Sequence, residues 1–256
     1  MKTGFQPNYI KGIRSSLIWA AVDYIFPAFC CNCGVLGHEI CPSCWEEIVI
    51  LHKNEICPIC GDISPKNSVC TSCMSNDKPA FSQMRSWGIY TGVLQKSIQR
   101  LKFERGLGLV PYFAPVCADF ISSWNISVDL IIPVPLGRKR KAERGYNQSE
   151  LIAKRISNTL RIPYSSKSLK RIKNTKTQVG LNAIERAVNV RDAFYGSPEL
   201  LKEKSVLIID DITTTGSTIN ECSRAVMNAG AKCVFCFTIA RTPLQSEELN
   251  KRRLDG

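Results

Sequence analysis

The stretch VLIIDDITTTGST, residues 206–218, joins an apolar run to a polar turn. Four apolar residues lead into two adjacent carboxylates, Asp210 and Asp211, and after Ile212 come six residues of which four are threonine, one glycine and one serine. A short continuous apolar run is typical of a strand covered on both faces, as in a parallel sheet. Because the carboxyl ends of parallel strands line the ligand crevice, we expect both carboxylates at that rim.

The residues after the carboxylates predict a phosphate-binding loop. They lead into a helix whose first amides would face outwards, and Gly216 would let the backbone approach a ligand closely. The residues that would offer amides and hydroxyls to a phosphate monoester are Thr213, Thr214, Thr215, Gly216, Ser217 and Thr218. The carboxylates would repel phosphate and instead suit paired ribose hydroxyls, which predicts a ribose 5-phosphate derivative. The alternative is a cluster of helix caps, although a cap needs only one such side chain.

Length and composition favour one sizeable core with a small satellite domain. The chain has 256 residues, 44% of them apolar and 22% charged, which is ordinary for a globular protein. Its longest apolar run, 17–29, is too short to span a bilayer and is broken by Asp23 and Pro27. Residues 1–8 lack the pattern of a signal peptide, so we expect a cytoplasmic protein without a membrane span. The net charge of +12 favours polyanionic partners, namely phosphorylated metabolites, nucleic acid or an anionic membrane surface.

Eight of the 13 cysteines form four pairs, each with two residues between its members. Two such pairs complete the tetrahedral four-sulfur site of structural zinc, so four pairs predict two Zn²⁺ ions. A reducing compartment argues against disulfides, and the fourfold pairing argues against isolated buried thiols. Using the pairs in chain order needs only short loops, and an interleaved arrangement is the alternative. The predicted ligands are Cys30, Cys33, Cys41, Cys44, Cys57, Cys60, Cys70 and Cys73.

The remaining cysteines and the two histidines have weaker interpretations. Cys31 is an extra thiol that could compete with its neighbour for zinc. Cys233 and Cys236 repeat the spacing of the pairs, but on a predicted strand residues three apart point to opposite faces, so we expect core positions. His38 and His52 are interpreted as surface residues.

Beyond residue 80 the sequence changes to alternating strands and helices. The apolar spacing predicts helices over 93–104, 147–160 and 217–228. Asn147 and Glu150 form a capping-box pattern at the start of the second of these. Apolar runs predict strands over 129–134, 205–209 and 232–240, and 135–145 is predicted to be a loop. Strands that alternate with helices favour an α/β fold with a mostly parallel, doubly wound sheet.

The carboxylate pair and its loop resemble the 5-phosphoribosyl-1-pyrophosphate (PRPP) motif of type I phosphoribosyltransferases. The Cys-rich head and three further stretches resemble the ComF family of competence-associated proteins: IYTGVLQKSIQRLKF at 89–103, IIPVPLGRKRKAERGYNQSELIAKRI at 131–156 and LKRIKNTKTQVGLNAIERAVNVRDAF at 169–194. The resemblance covers nearly the whole chain, and PVPL with RGYNQ is its most specific part.

The resemblance implies three segments. They are an amphipathic N-terminal helix over 1–29, a double zinc ribbon over 30–80 and a type I phosphoribosyltransferase-like α/β domain over 81–256. We expect the core of the transferase-like domain to be separate from the ribbon, so that it would survive loss of the ribbon.

The resemblance also implies roles for individual residues. PRPP would bind with Mg²⁺, and Asp210 and Asp211, as catalytic residues, would stabilise an oxocarbenium-like transition state. A loop after an early strand would bind pyrophosphate and continue into a mobile flap, which Lys141 makes more basic. The residues of this loop and flap are Pro135, Leu136, Gly137, Arg138, Lys139, Arg140, Arg144, Asn147 and Gln148. The alternative is that the run RKRKAER is a solvated surface.

Three classes of function follow from this resemblance. The favoured class is a PRPP-binding protein of natural transformation that acts on incoming single-stranded DNA, or with competence or recombination proteins. The others are an active phosphoribosyltransferase with an unknown acceptor, and a zinc-dependent scaffold whose ribose site is vestigial.

A second basic run bears on how DNA would be bound. Six basic residues have no acid among them: Arg161, Lys167, Lys170, Arg171, Lys173 and Lys176. Only Tyr146, Tyr164 and Tyr195 lie nearby, which favours contacts to phosphates over recognition of bases.

Overall fold

A four-stranded parallel sheet forms the centre of the structure. The computed structural model describes residues 28–75, 78–173 and 183–242. The strands are β1 (Gln83–Ile89), β2 (Leu130–Pro133), β3 (Leu169–Arg171), β4 (Phe194–Gly196), β5 (Ser205–Thr213) and β6 (Cys233–Arg241). The parallel sheet has the order β1-β6-β5-β2, while β3 and β4 form a separate antiparallel pair. The order places β5 and β6 in the middle of the sheet.

Helices cover this sheet and connect its strands. In the described part of the chain they are α1 (Pro42–Glu46), α2 (Thr71–Met74), α3 (Gly92–Phe103), α4 (Val110–Ser122), α5 (Arg138–Arg144), α6 (Gln148–Leu160), α7 (Ala183–Val190), α8 (Pro198–Leu201) and α9 (Ser217–Asn228). Short 3₁₀ turns occupy 53–55, 65–67 and 107–109. None of the described helices is both long and apolar enough to cross a membrane.

The sheet is covered on both faces, as the apolar run of β5 predicts. Leu207 and Ile209 lie in one buried cluster with residues of α3, α4 and α6. Val206 and Ile208 lie in the cluster on the other face, with residues of α9. Successive strand residues point to opposite faces, so an uninterrupted apolar run supplies both cores. The predicted α/β fold with a doubly wound parallel sheet is confirmed.

The Cys-rich head shares its core with the sheet. Cys41 and Cys44 belong to the same buried cluster as residues of α3 and α4. The ring centroids of Trp45 and Trp87 are 5.6 Å apart, and Phe113 lies 6.3 Å from the first ring and 6.2 Å from the second. The expectation that the two cores are separate is therefore wrong, because apolar side chains of the head complete the core on one face of the sheet. The limits 30–80 and 81–256 stay predictions.

The head also pairs with the free edge of the sheet. The backbone N–H of Leu51 donates to Trp87 O at 3.0 Å, and that of Ile89 donates to Val49 O at 2.9 Å. Farther along β1, the N–H of Met84 donates to Ile59 O at 2.7 Å. These contacts occupy backbone groups that an edge strand would otherwise leave open.

A buried arginine joins the head to the end of β6. The guanidinium of Arg241 donates to Cys60 O and lies 3.5 Å from Asp62 Oδ1. In the register of the central strands, Arg241 is opposite Thr213, the last residue of β5. The segment that carries Cys57, Cys60, Cys70 and Cys73 is thus linked directly to the edge of the sheet where the ligand crevice was predicted.

The predicted elements agree with the structure to within one residue except at three places. The helix over 217–228 has these limits, but the strand predicted over 205–209 extends to Thr213. The segment 135–145 is not all loop, because 138–144 forms α5. The Asn147 side chain caps α6 by accepting from the backbone N–H of Ser149, rather than through Glu150. The helix predicted over 1–29 lies outside the described residues, except for its last two positions.

Candidate functional site

A cavity of about 130 Å³ opens at the carboxyl end of β5. Its walls come from the end of β5, the loop into α9, the loop after β2, the helices α5 and α6, and one residue each from α3 and β3. Four stretches that are far apart in sequence, at 102, 134–149, 171 and 210–219, therefore meet at the edge of the sheet that the carboxylates mark. This is the rim at which open α/β sheets bind ligands.

Most of the residues predicted to form the site line this cavity. They are Pro135, Leu136, Arg140, Arg144, Asn147, Gln148, Asp210, Asp211, Thr213, Thr214, Thr215, Gly216, Ser217 and Thr218. Gly137, Arg138 and Lys139 are not among the lining residues. Arg138 and Lys139 are exposed at the start of α5, where they face solvent.

Three polar or charged lining residues were not predicted as site residues: Lys102, Ser149 and Arg171. Lys102 lies at the end of α3, and Arg171 ends β3. Both occur in stretches that carry the family resemblance, at 89–103 and 169–194. That resemblance was the available signal, since neither spacing nor local composition relates these residues to Asp210.

The two carboxylates have different environments. Asp211 is only 2% exposed, and its Oδ2 lies 3.1 Å from Lys102 Nζ. Asp210 Oδ1 accepts hydrogen bonds from Ser149 Oγ at 2.7 Å and from the backbone N–H of Asp211 at 2.9 Å. Asp211 is therefore fixed by an ion pair, while Asp210 is held by neutral donors beside the cavity.

These surroundings shift the titration of Asp210. Burial, followed by the neighbouring charge of Asp211, raises the pKa of Asp210 to about 7, and the hydrogen bond from Ser149 limits the rise. A cation or a hydroxyl ligand that enters the cavity would favour the ionised form. A suitable ligand can thus shift the carboxyl group of Asp210 from its neutral form to its ionised form.

The loop between β5 and α9 has the geometry of an anion cradle. Gly216 has φ +79°, and a side chain there would be strained in that left-handed conformation. Oγ1 of Thr215 lies 2.8 Å from Ser217 Oγ, which brings two hydroxyls to the first turn of α9. The first amides of a helix have no partner within the helix and attract negative charge.

Three arginines give the cavity a positive wall. Arg144 donates to Gln148 Oε1 at 3.0 Å, and Arg171 lies with its guanidinium carbon 5.4 Å from the ring centroid of Phe194. Burial lowers the pKa of Arg171, and the positive charge of Arg140 lowers it further. Two guanidinium groups that repel each other inside one cavity are stabilised by an anion between them.

The eight paired cysteines form two clusters, used in chain order. Cys30, Cys33, Cys41 and Cys44 form one, and Cys57, Cys60, Cys70 and Cys73 form the other, with the sulfur atoms of each within 4.8 Å of one another. A tetrahedral zinc site with Zn–S bonds of about 2.3 Å places its sulfur atoms about 3.8 Å apart. The observed sulfur distances of 3.6 Å for Cys33 and Cys41, and of 3.5 Å for Cys60 and Cys70, fit that ion.

Backbone N–H groups support the charge of these sulfurs. Burial raises the pKa of Cys30, but three backbone donors outweigh it and bring the value down to about 6. One of these donors is the N–H of Cys41, 3.4 Å from the sulfur. The thiolate of Cys30, stabilised by these N–H groups, is the form of cysteine that binds zinc.

Cys31 is not a member of the cluster, and its sulfur lies 3.1 Å from Ser97 Oγ.

Cys236 is buried and its sulfur lies 3.3 Å from Ser223 Oγ, as expected for a core position, while Cys233 is half-buried. Neither belongs to a cluster of potential metal ligands among the described residues.

Comparison with known proteins gives matches to both parts of the chain. Residues 145–254 match the phosphoribosyl transferase domain family, and residues 21–74 match the double zinc ribbon domain family. Competence protein F of Haemophilus influenzae is 32% identical over 219 residues, which cover 82% of this chain and 93% of that protein. The chain belongs to the ComF family. Zinc in both cysteine clusters is accordingly the assignment that the sulfur geometry and the ribbon match support together.

Other relatives of the ComF family carry names that refer to DNA. The DNA utilization protein YhgH of Salmonella typhimurium is 29% identical over 227 residues, covering 84% of this chain and 98% of that protein. Among solved structures, a purine phosphoribosyltransferase from Pyrococcus horikoshii aligns with 23% identity and a TM-score of 0.32, over 52% of this chain and 82% of that one.

The shared core leads to a prediction about zinc. Protein purified without chelator should contain two zinc ions per chain, and changing Cys41 and Cys44 to Ser should remove one. Because these residues lie in the core beside the sheet, the melting temperature of the whole chain should fall by about 10 °C or more. Elemental analysis and thermal unfolding followed by circular dichroism measure the two effects.

Cys233→Ser is the matched control, because Cys233 lies outside both clusters and should keep both ions. Loss of one zinc ion from the Cys41 and Cys44 variant with an unchanged melting temperature would contradict the shared core.

The raised pKa of Asp210 predicts a pH-dependent stability. Its pKa rises from 3.8 to about 7 on folding, so the folded chain keeps a proton that the unfolded chain loses. Stability therefore falls as the pH rises from about 4 to about 7, and is constant above that range. Asp210→Asn should gain about 2 kcal/mol over the parent between about pH 5.5 and about pH 8.

Urea unfolding at several pH values measures this difference. Asp119→Asn, on the exposed side of α4, should show a difference from the parent that does not vary with pH. If Asp210→Asn behaves in the same way, Asp210 is already ionised across this range.

Proposed function

We propose that the cavity at the end of β5 binds PRPP, or another ribose 5-phosphate ester, together with Mg²⁺. We further propose that the protein uses this site in natural transformation, in handling incoming single-stranded DNA. The observation that carries the first proposal is that one cavity combines the loop of α9, a carboxylate pair and three arginines. A phosphorylated sugar needs these three kinds of group: amides for its monoester, carboxylates for its hydroxyls and guanidinium groups for a second phosphate group.

Each part of the ligand is assigned to one part of the cavity. The amides and hydroxyls of Thr214 to Thr218 would bind the 5-phosphate, and the carboxylate of Asp210 would accept from a ribose hydroxyl. Arg140, Arg144 and Arg171 would hold the pyrophosphate, next to the loop at 135–137. Bound Mg²⁺ would neutralise part of the pyrophosphate charge. Asp211 keeps Lys102 in place by the ion pair at 3.1 Å.

The proposal for DNA is supported by the family and by the distribution of charge. Relatives are named for competence and DNA utilization. The exposed cations Arg138, Lys139 and Lys141 lie on α5 outside the cavity, next to the cavity arginines of the same helix. Exposed cations beside a ligand site suit the phosphates of a single strand, which need no base-specific contact.

An active phosphoribosyltransferase is the second candidate. It is favoured by the two adjacent carboxylates, which would stabilise positive charge at the anomeric carbon as pyrophosphate leaves. The two candidates share the ligand and differ in turnover, so release of pyrophosphate from PRPP in the presence of nucleobases or DNA separates them.

The ribose site is tested by Asp210→Asn. Replacing this carboxylate should weaken Mg²⁺-dependent PRPP binding by about tenfold or more, since hydrogen bonds to charged groups contribute about 1.5–3 kcal/mol. Calorimetry with PRPP and Mg²⁺ measures the change, and Asp119→Asn is the control. Asp211→Asn is the less specific variant, because it leaves the amino group of Lys102 without its buried partner. Parental affinity in Asp210→Asn would remove the ribose assignment.

The DNA proposal is tested by the salt dependence of binding. Each phosphate contact to a single strand contributes about −0.7 to the slope of log K against log salt. Replacing Arg138, Lys139 and Lys141 with Ala should flatten this slope by at most about 2, equally for oligonucleotides of different sequence. PRPP binding should persist, because these side chains lie outside the cavity.

The control replaces three cations at the opposite end of the sheet, Lys202, Lys204 and Lys232. They precede β5 and β6, far from the cavity, and their loss should leave the slope unchanged. Equal slopes for the two triple variants would place the DNA elsewhere on the protein.

A further inference from the structure

An exposed aromatic ring stands beside the cavity. Phe103, the last residue of α3, is 71% exposed, whereas the apolar residues Leu94, Ile98 and Leu101 of the same helix are fully buried. The preceding residue is Lys102, whose amino group contacts Asp211 in the cavity. Leaving a phenylalanine in water forgoes the stabilisation that burial would give. Its position therefore needs an explanation other than the core.

An arginine of the cavity already lies over this ring. The guanidinium carbon of Arg144 is 4.9 Å from the ring centroid of Phe103, within the range of a cation–π contact. Arg144 also lines the cavity and donates to Gln148. Most of the Phe103 side chain stays accessible even with this cover. The ring therefore lies next to a guanidinium that lines the cavity.

A second aromatic residue contacts the last turn of α3. The hydroxyl of Tyr146 donates to the backbone oxygen of Leu101, two residues before the end of α3. Burial raises the pKa of Tyr146, and the nearby positive charges of Arg144 and Arg105 partly offset this rise. The end of α3, beside the cavity, thus brings two aromatic rings near two arginines, of which Arg144 lines the cavity and Arg105 is exposed.

We infer that Phe103, with Arg144 beside it, is a stacking platform for a base of single-stranded nucleic acid. The proposal rests on the proposed binding of DNA and adds a base contact to it. Every base has a flat face that stacks on an aromatic ring, so the platform binds bases without reading their sequence. The exposed cations of α5 hold the adjoining phosphates. The sequence analysis favoured contacts to phosphates, because it considered only three tyrosines as aromatic partners. Phe103 was not among them.

The experiment compares two oligonucleotides that carry the same number of phosphates. One is a twelve-residue oligothymidylate, and the other is the same length with abasic residues. The parent should bind the first more tightly. Phe103→Ala should lose about tenfold in affinity for the oligothymidylate and almost nothing for the abasic strand. Phe103→Trp should keep the parental preference, and Phe103→Leu, which is apolar but not aromatic, should lose it.

Two controls separate this inference from the function on which it rests. Phe29→Ala removes another exposed phenylalanine, next to the first zinc-cluster cysteine in sequence, and should change neither affinity. In Phe103→Ala, PRPP affinity should change by no more than about fivefold, because only one exposed cation–π contact with Arg144 is lost. A parent that binds both strands equally, or a Phe103→Ala variant that keeps the preference, overturns the platform while DNA binding stands. A parent that binds neither strand overturns the DNA proposal itself.

Discussion

Two carboxylates in adjacent positions at the end of a buried strand are the constraint on which the rest of the site depends. Carboxylates taken out of water need donors around them, because burying a charged group without partners costs free energy. Lys102 supplies a cation for Asp211, and Ser149 supplies a hydroxyl for Asp210. Helix α3 must therefore end, and α6 must begin, at this edge of the sheet.

The central strand, the loop after it and the eight zinc-cluster cysteines could be predicted from the sequence, because each is a local pattern. The run over 206–209 and the hydroxyl-rich turn need no distant residue to be recognised. The partners Lys102 and Arg171 could not be derived in this way, since they reach the cavity only after the chain has folded. The shared core was missed for a similar reason. An apolar residue such as Trp45 is expected to be buried, but the sequence does not indicate which surface it packs against.

Helix α5 shows a different limit of sequence analysis. Its seven residues, 138–144, carry no apolar face, and five of them are basic, which resembles a solvated loop. The segment forms a helix because its two ends are fixed: the N–H of Lys141 donates to Gly137 O at 2.9 Å, and Gly145 ends the helix with φ +79°. Helical geometry then divides the charges, so that Arg140 and Arg144 line the cavity while Arg138, Lys139 and Lys141 face solvent. A run that looks uniform in sequence is two surfaces in the fold.

The backbone pairing between the head and β1 protects the protein from aggregation. An edge strand with open N–H and C=O groups is a template for pairing with another chain, and proteins protect such edges. Here the protection comes from residues near 49–51 and 59, which donate to or accept from β1. These segments contain little regular structure, and they are held in place by the two sulfur clusters together with the shared core and Arg241. Oxidation or chelation at the cysteines would therefore open a parallel sheet along its length, and the first visible result would be self-association of the chain into aggregates.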